Sequence, residues 1–515
     1  MKSLKPPGTT VAIYCSCKCK FRGKYGSYQL MKITLVNTAK RLSCDGSHLI
    51  SALLKQAGHS VKNVLLAKQR EFPYRQDELD QLHEIVKETD LVMIAVYSSF
   101  ANRAIQVTEF VRKKYPGMKV IWGGPHCISA PELSLRYADG VCFAEGDEVI
   151  VDLISKMESG TDYLNTPNMA FNVKGSFKIN DVLPPFSDLD NLPYYDYDLN
   201  DRYLLDEKLL PMTKERFKEH YVFYPFGSPT FTLITSRGCP YKCSYCNNIR
   251  YVTMHGHSPM RFQSVNRFID ELEHAIRHFD FFQFVLFGDD DFLIRDKKQL
   301  EDFAEQYRKK VGLPFAICVS ANTFRREKME LLLDASLKLV QLGVQSGSQR
   351  IIDEVFDRKI KVTKTMEVVR QIEPYYKTHG LNLLLDFIID NPYETRNDII
   401  QTYQYLVNLS SHVRVNMFCL AFFPGTPIYH KALNDGFIEP YDEKTSRFFD
   451  KTNQITYQVN YETFLILLYH SLLRHPRLRR FIPRFILRAL GSRLIRSIAS
   501  ILPFSFYATL IKSIR

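Results

Sequence analysis

The stretch Ser236-Arg237-Gly238-Cys239-Pro240-Tyr241-Lys242-Cys243-Ser244-Tyr245-Cys246 follows the apolar run Phe231–Thr235 and carries most of the chemical information in this chain. Its cysteines are spaced C-x3-C-x2-C on a loop where a strand is expected to end. Three thiolates this close in sequence can each take one iron of a cubane cluster, which leaves the fourth iron without a protein ligand. Catalytic metal sites need such an open position, whereas structural ones are closed. A structural zinc site lacking its fourth ligand and simple coincidence are the alternatives. Three cysteines within eight residues at a strand end weigh against both.

Outward from this loop, strand-like runs recur at 231–236, 284–288, 315–320, 339–344, 382–390 and 415–423, with helical segments between them. Six such units predict a partial β/α barrel over 230–440, with its chemistry at the C-terminal ends of the strands. Upstream, the apolar runs 31–37, 61–67, 90–98 and 119–124 alternate with helical patterns near Ser47–Gln56, Asp77–Lys87 and Asn102–Lys114. Short, uniformly apolar strands separated by helices predict a Rossmann-like parallel sheet over 31–160, covered on both faces. Ligands of such sheets sit at the carboxyl ends of the strands. The candidate loops there are Asn37-Thr38, Tyr97-Ser98-Ser99, Gly123-Gly124-Pro125-His126 and Glu145-Gly146-Asp147-Glu148. Residues 1–30 read as an extension, the Pro- and Tyr-rich 161–229 as a linker, and 441–515 as a mainly helical region. The expected fold class is therefore α/β with a helical C-terminal part.

The chain has 515 residues, 45% hydrophobic and 24% charged, which excludes a disordered protein. Its net charge of +12 is a property of the tail: Ser471–Arg515 holds ten basic residues and no acidic one, leaving about +2 for the rest. That distribution gives no polyanion footprint on the body and predicts no nucleic-acid partner. Eleven cysteines without regular pairing predict a reducing compartment. With no signal-peptide pattern and no apolar run long enough to span a bilayer, the expected location is cytoplasmic.

At the cysteine loop the sequence resembles the radical S-adenosylmethionine (radical SAM) superfamily, and the resemblance continues along the barrel. It implies a [4Fe-4S] cluster on Cys239, Cys243 and Cys246, and Tyr245 against the adenine. It further implies a methionine-ammonium contact at Gly288-Asp289-Asp290-Asp291, a ribose or carboxylate contact at Gln345-Ser346-Gly347-Ser348, and an adenine-binding strand at Asp386–Asn391 with Ile388. Pro392-Tyr393-Glu394-Thr395 resembles that strand's P-x-E-T turn, and Phe423–Pro427 the ending of the sixth strand. Asp390-Asn391 stands where glycine is usual. With the sheet domain placed directly upstream, Met31–Pro440 resembles the cobalamin-binding members of the superfamily. That implies corrin contacts from Asn37, Thr38, Tyr97, Ser98, Ser99, Gly123, Gly124, Pro125, His126, Glu145 and Gly146. The motif D-x-H-x-x-G is absent; Asp45-Gly46-Ser47-His48 has the wrong spacing, so no histidine is expected beneath the cobalt, and His48, His59 and His126 are expected to be structural or peripheral.

The resemblance implies a methyltransferase that acts on an unactivated carbon of a small molecule through a 5'-deoxyadenosyl radical and methylcobalamin, reduced by an external flavodoxin- or ferredoxin-like donor. A cobalamin-dependent radical cyclase, oxidase or rearrangement enzyme of lipid or natural-product biosynthesis is the alternative within the class, and a non-catalytic cobalamin sensor the alternative outside it. Cys15, Cys17 and Cys19 read as incidental thiols of the extension. From Leu472 the basic residues Arg477, Arg480, Arg484 and Arg488 interleave with Leu478, Phe481, Ile482, Phe485 and Ile486 as a cationic amphipathic helix bent at Pro483. Such a tail suits peripheral contact with an anionic membrane at its inner face, and with it a lipid or apolar substrate.

Overall fold

The computed structural model describes residues 30–39, 45–68, 73–220, 222–223, 227–257, 260–442, 455–475 and 482–514. Cys15, Cys17, Cys19, Arg477, Leu478, Arg480 and Phe481 lie outside the described residues.

The first unit is built on nine strands: β1 (Lys32–Asn37), β2 (Ser60–Leu66), β3 (Leu91–Ala95), β4 (Lys119–Gly123), β5 (Gly140–Cys142), β6 (Met169–Val173), β7 (Ser176–Ile179), β8 (Arg202–Leu205) and β9 (Leu209–Pro211). They lie in the order β7-β6-β5-β4-β3-β1-β2-β8-β9, with β1 parallel to both β2 and β3. The chain leaves β1 toward β2 and returns on its other side to β3, so a crevice opens at the carboxyl ends of β1 and β3. The central strands are apolar on both faces because helices cover both, as the buried runs of β1 and β3 show.

Four short strands within the linker expected over 161–229 join this sheet. β6 and β7 form an antiparallel hairpin on one edge, and β8 and β9 close the other. These strands are only three to five residues long, and the outermost, β7 and β9, stand largely outside the core, so they lack the long apolar run that marked the central strands. The helix expected over Asp77–Lys87 is two short helices, Gln76–Asp80 and His83–Val86.

The second unit is an open barrel. A short strand β10 (Val222–Phe223) pairs antiparallel with β11 (Ser228–Leu233); β12 (Ser236–Arg237) pairs with β13 (Arg261–Phe262) as a separate ribbon. Then follow β14 (Phe284–Phe287), β15 (Phe315–Val319), β16 (Leu337–Gln345), β17 (Asn382–Ile389) and β18 (Arg414–Cys419). Strands β11, β14, β15, β16, β17 and β18 are parallel neighbours in that order, the six predicted from sequence. One hydrophobic core runs from Leu65 and Leu204 of the first sheet through the outer barrel face, including Phe231 and Phe287, to Tyr469 and Ile511 of the C-terminal helices. The two units therefore share a core.

The single bent tail helix expected from Leu472 is several helices. Tyr461–Arg474 packs on the barrel, and Pro483 stands at the N-cap of Arg484–Leu490, where its missing N–H leaves no helical bond unmade. Arg493–Ala499 and Phe504–Ile514 follow.

Candidate functional site

The cysteine loop starts where β11 ends and is held from two sides. The β12/β13 ribbon fixes Ser236 and Arg237 opposite Phe262 and Arg261, and the Ser244 N–H and hydroxyl donate to the carbonyls of Phe356 (2.9 Å) and Val355 (2.6 Å). The Cys246 N–H donates to the Cys243 carbonyl at 3.1 Å, closing a turn between two of the thiols. Burial pushes the Cys239 thiol up to about 12 and Cys246 to about 11, and each lies within electrostatic reach of the others. Cys243 is raised by burial too, against the opposing pull of Arg358. Neighbouring buried thiolates are stable only with a cation among them, and metal binding would release their protons. Among the described residues no three His, Cys, Asp or Glu side chains converge on one ion. Three thiols on one loop, two of them joined by a tight turn, fit a cluster in which each thiolate takes its own iron.

Around the loop the barrel strand ends divide into groups that face the interior and groups that hold the frame. Asp289 is 1% exposed; its carboxylate accepts from the Thr235 N–H (3.2 Å), the Thr235 hydroxyl (3.0 Å) and the Ser236 hydroxyl, with Arg295 at 3.5 Å. Expected to meet an ammonium, it instead ties the ends of β11 and β14 together. Asp290 lines the cavity, accepts from Asn248 Nδ2 (2.7 Å), and is pushed up to about 6 by burial and by the Asp289 charge beside it. Ser346 is likewise committed inside the protein: fully buried, its hydroxyl lies 3.3 Å from Thr402 Oγ1 and accepts from the Ser348 N–H. Gly347 permits this docking, since a Cβ there would stand 2.5 Å from the Thr402 Cα. Thr395 of the P-x-E-T turn is the N-cap of the helix Arg396–Val407, and Asp398 answers it while accepting from Ser348 (2.5 Å) and Arg350 (2.5 Å). Asp390 adopts φ +58°, the left-handed conformation that glycine would take, and its carboxylate accepts the N–H groups of Thr456, Tyr457 and Gln458 at 2.7–2.8 Å. It thereby anchors the chain entering Tyr461–Arg474.

Tyr245 and Ile388, both expected at the adenine, pack in one apolar cluster, Tyr245 edge-on to Phe356 at 4.9 Å. The Tyr245 hydroxyl accepts from Arg358 Nη1 (2.7 Å), and Arg358 Nη2 donates to the Gly343 carbonyl (3.2 Å). Arg358 Nε is buried without an acceptor among the described residues. Gln345, at φ +70°, turns its side-chain nitrogen over Gly343 beside this guanidinium. Below, on alternate residues of β16, β17 and β18, Gln341 Nε2 and Asn416 Nδ2 donate to the two oxygens of Asp386 (2.7 and 3.0 Å), whose carboxyl burial raises. The sequence reading named Asp386 only as part of an adenine strand and missed Arg358, Gln341 and Asn416. Their period-two placement on strands was visible, but their mutual contact was not. An orphaned N–H beside cluster-forming thiols fits a ligand carrying an acceptor, such as the carboxylate of S-adenosylmethionine.

In the first unit the crevice loops converge on the same space. A cavity of about 610 Å³ is lined by Tyr97, Gly123, Gly124, Pro125, Glu145 and Gly146 on one side and by Arg237, Gly238, Gly288 and Asp290 on the other. Asn37, Thr38, Ser98, Ser99 and His126, grouped with them from sequence, do not line it. Asn37 bonds Ser47 and the Ala39 N–H, Thr38 donates to the Ala95 carbonyl, and buried His126 sits 3.1 Å from Ser98 Oγ and tilts against Tyr441. His48 lies against the Asp196 carbonyl and His59 against Glu158, both outside the cavity wall. Gly124 at φ +97° keeps the backbone bare here. An apolar floor of Leu35, Met93 and Ile121 beneath bare glycine backbone fits the flat, largely apolar face of a corrin. In the cavity wall, Arg237 pairs with Asp147 (2.5 Å) and Arg261 with Glu145 (2.7 Å). Burial opposes ionisation of Glu145, but Arg261 and Arg237 outweigh it and hold its carboxyl below the usual range. These pairs clasp the first unit to the ribbon bearing the cysteine loop.

Comparison with known proteins agrees with this geometry. The B12 binding domain family matches residues 32–154, and the Radical SAM superfamily matches residues 233–406. The chain is a B12-binding radical SAM enzyme. It is 26% identical over 349 residues to the uncharacterized methyltransferase PH0819 of Pyrococcus horikoshii, covering 67% of this chain and 69% of that one. To the cobalamin-dependent radical SAM methyltransferase TokK of Streptomyces tokunonensis it is 23% identical over 364 residues, covering 68% of this chain but only 49% of TokK. The fold is that of the cobalamin-dependent S-adenosylmethionine radical enzyme OxsB, solved with aqua-cobalamin and S-adenosylmethionine, at a TM-score of 0.65 and 14% identity over 86% of this chain and 67% of that one. The enzyme's cofactors are thus a [4Fe-4S] cluster, S-adenosylmethionine and cobalamin. A small-molecule substrate and an electron donor are consistent with an enzyme of this class.

Proposed function

We propose that this enzyme methylates an unactivated carbon of a small apolar or lipid molecule. The observation that carries the reading is the shared cavity: loop residues beside the cysteines and bare backbone at the ends of β3 and β4 face each other across one space. When bound, the cluster with S-adenosylmethionine supplies a carbon radical able to remove hydrogen, and cobalamin supplies a methyl group.

The chain's own residues arrange that encounter. Cys239, Cys243 and Cys246 would hold the cluster, and Tyr245 and Ile388 would pack the adenine. Arg358 Nε would take the free carboxylate, and Asp290 would accept from the ammonium. Gly123, Gly124 and Gly146 would let a corrin lie close to the strand ends. The Arg237–Asp147 and Arg261–Glu145 pairs fix the distance between the two cofactor sites, which matters because misplacement of reacting atoms costs rate steeply. Ile234, on the barrel side of the cavity and apart from the floor assigned to the corrin, adds apolar wall, which suits an apolar substrate and keeps water from a reactive carbon. A flavodoxin- or ferredoxin-like donor covers the low potentials such clusters need.

The test is anaerobic turnover of the reconstituted holoenzyme with S-adenosylmethionine and reductant. Methylation predicts 5'-deoxyadenosine and S-adenosylhomocysteine in equal amounts and a product heavier by one methylene. Cys243→Ala should abolish 5'-deoxyadenosine. A product that has lost hydrogen or is isomeric would point to cyclisation, oxidation or rearrangement, and 5'-deoxyadenosine from Cys243→Ala would refute the cluster assignment.

A further inference from the structure

The last three helices carry a surface that the chemistry does not use. Their inner side is firmly docked: Leu487, Ala499, Tyr507 and Ile511 are buried, the Tyr403 and Tyr461 hydroxyls donate to the Leu487 and Leu490 carbonyls at 2.7 and 3.1 Å, and Arg496 pairs with Glu462 at 2.9 Å. Their outer side is apolar and bare. Leu494 and Ile498 stand at i and i+4 on the helix Arg493–Ala499 and Ile501 follows in the turn just after it; they are 72%, 60% and 81% exposed. Phe485 at 71% and Phe504 at 64% flank them in sequence. Single exposed apolar residues are ordinary; several together on a rigidly held platform mark a contact surface.

We infer that this face docks the enzyme on the surface of an anionic lipid bilayer. Charge selects that occupant. Arg484, Arg488, Arg493 and Lys512 are exposed on the same helices, and Ser471–Arg515 contains ten basic and no acidic residues. Two copies placed face to face would bring these like charges together, whereas anionic headgroups complement them while the apolar side chains enter the acyl boundary. Among the described residues no single helix is long and apolar enough to cross a membrane; Arg493–Ala499 and Phe504–Ser513 are long and apolar enough only as a pair, but they meet at a 106° bend and are docked on the protein through the buried Ala499, Tyr507 and Ile511. The mode is therefore peripheral. This inference stands apart from the methylation reading and uses none of the cofactor residues.

Reconstituted full-length enzyme should sediment with phosphatidylcholine vesicles containing phosphatidylglycerol, stay in the supernatant with phosphatidylcholine alone, and be released by high salt or alkaline carbonate. The variant Leu494→Gln/Ile498→Gln/Ile501→Gln removes only exposed apolar surface; it should retain the wild-type melting temperature and lose vesicle affinity by about tenfold or more. Arg488→Gln/Arg493→Gln, also on the exposed side, should lose about tenfold on anionic vesicles only. Equal binding to neutral vesicles, no binding to either, or unchanged binding by the apolar variant overturns the inference. So does retention through a carbonate wash, which would mean insertion. A wild-type dimer by light scattering that the apolar variant converts to monomer, without vesicle binding, would assign the face to a second copy instead.

Discussion

Replacing Gly124 with alanine probes the bare backbone on which the corrin side of the cavity depends. Gly124 sits at φ +97° and ψ −178°, a region that only glycine occupies at low cost, and an added Cβ would stand 3.0 Å from the Val96 oxygen and 3.1 Å from its nitrogen. Val96 cannot retreat freely, since its N–H donates to the Gly123 carbonyl (2.8 Å) and its carbonyl accepts from His126 (3.1 Å). The backbone conformation costs ~1–3 kcal/mol and the forced contact a further ~1–3 kcal/mol, together roughly 2–6 kcal/mol. At about 2–4 °C per kcal/mol for a unit of this size, the melting temperature should fall by roughly 4–24 °C. Calorimetry on cobalamin-free protein reads this directly, and corrinoid absorbance after loading reads the site. The control is Gly117→Ala, which meets nothing within 4 Å and should shift the transition by no more than about 1 °C. If Gly124→Ala melts with Gly117→Ala and loads cobalamin fully, the close-approach argument is wrong.

Three other consequences are open to measurement. Arg358→Met should leave iron content unchanged and weaken S-adenosylmethionine binding by roughly 10- to 100-fold, the worth of a charged hydrogen bond; unaltered affinity by equilibrium dialysis would place the carboxylate elsewhere. Asp390→Gly keeps a residue suited to φ +58° but removes the acceptor of three N–H groups, so the Thr456, Tyr457 and Gln458 amides should exchange with deuterium about tenfold faster or more. Burial, aided by the Asp398 and Asp390 charges, pushes Glu394 up to about 8, so its ionisation is penalised in the folded state and stability should decline as pH rises from ~4.5 toward ~8; Glu394→Gln should flatten that decline in a series of thermal melts, and parallel pH profiles would contradict it.

Much of the architecture was legible because local patterns and global fold agree. The central strands of the first unit are apolar on both faces, the barrel strands are dominated by short apolar runs, and the cysteine spacing is a property of eight consecutive residues, so none of these depends on distant partners. Polar roles were harder to read, since an Asp or Ser at a strand end looks the same whether it faces a ligand or a neighbouring strand. Asp289 and Asp290 are adjacent, yet one is fully engaged by Thr235 and Ser236 while the other reaches the cavity. Arg358 was invisible because its value lies in meeting Tyr245, 113 residues away. The strands β6 to β9 were read as linker because runs of three to five residues carry neither the long apolar stretch nor the clean alternation that marks a strand. The Asp390 departure from glycine became intelligible only with the Thr456–Gln458 segment in place.

The central claim is that three cysteines leave one iron open for S-adenosylmethionine. Electron–nuclear double resonance on the reduced, reconstituted enzyme with S-adenosylmethionine labelled with nitrogen-15 at its amino group tests it most directly. The account predicts a nitrogen-15 coupling to the cluster that vanishes in unlabelled samples. A cluster that shows no such coupling and carries a fourth protein ligand instead would contradict it.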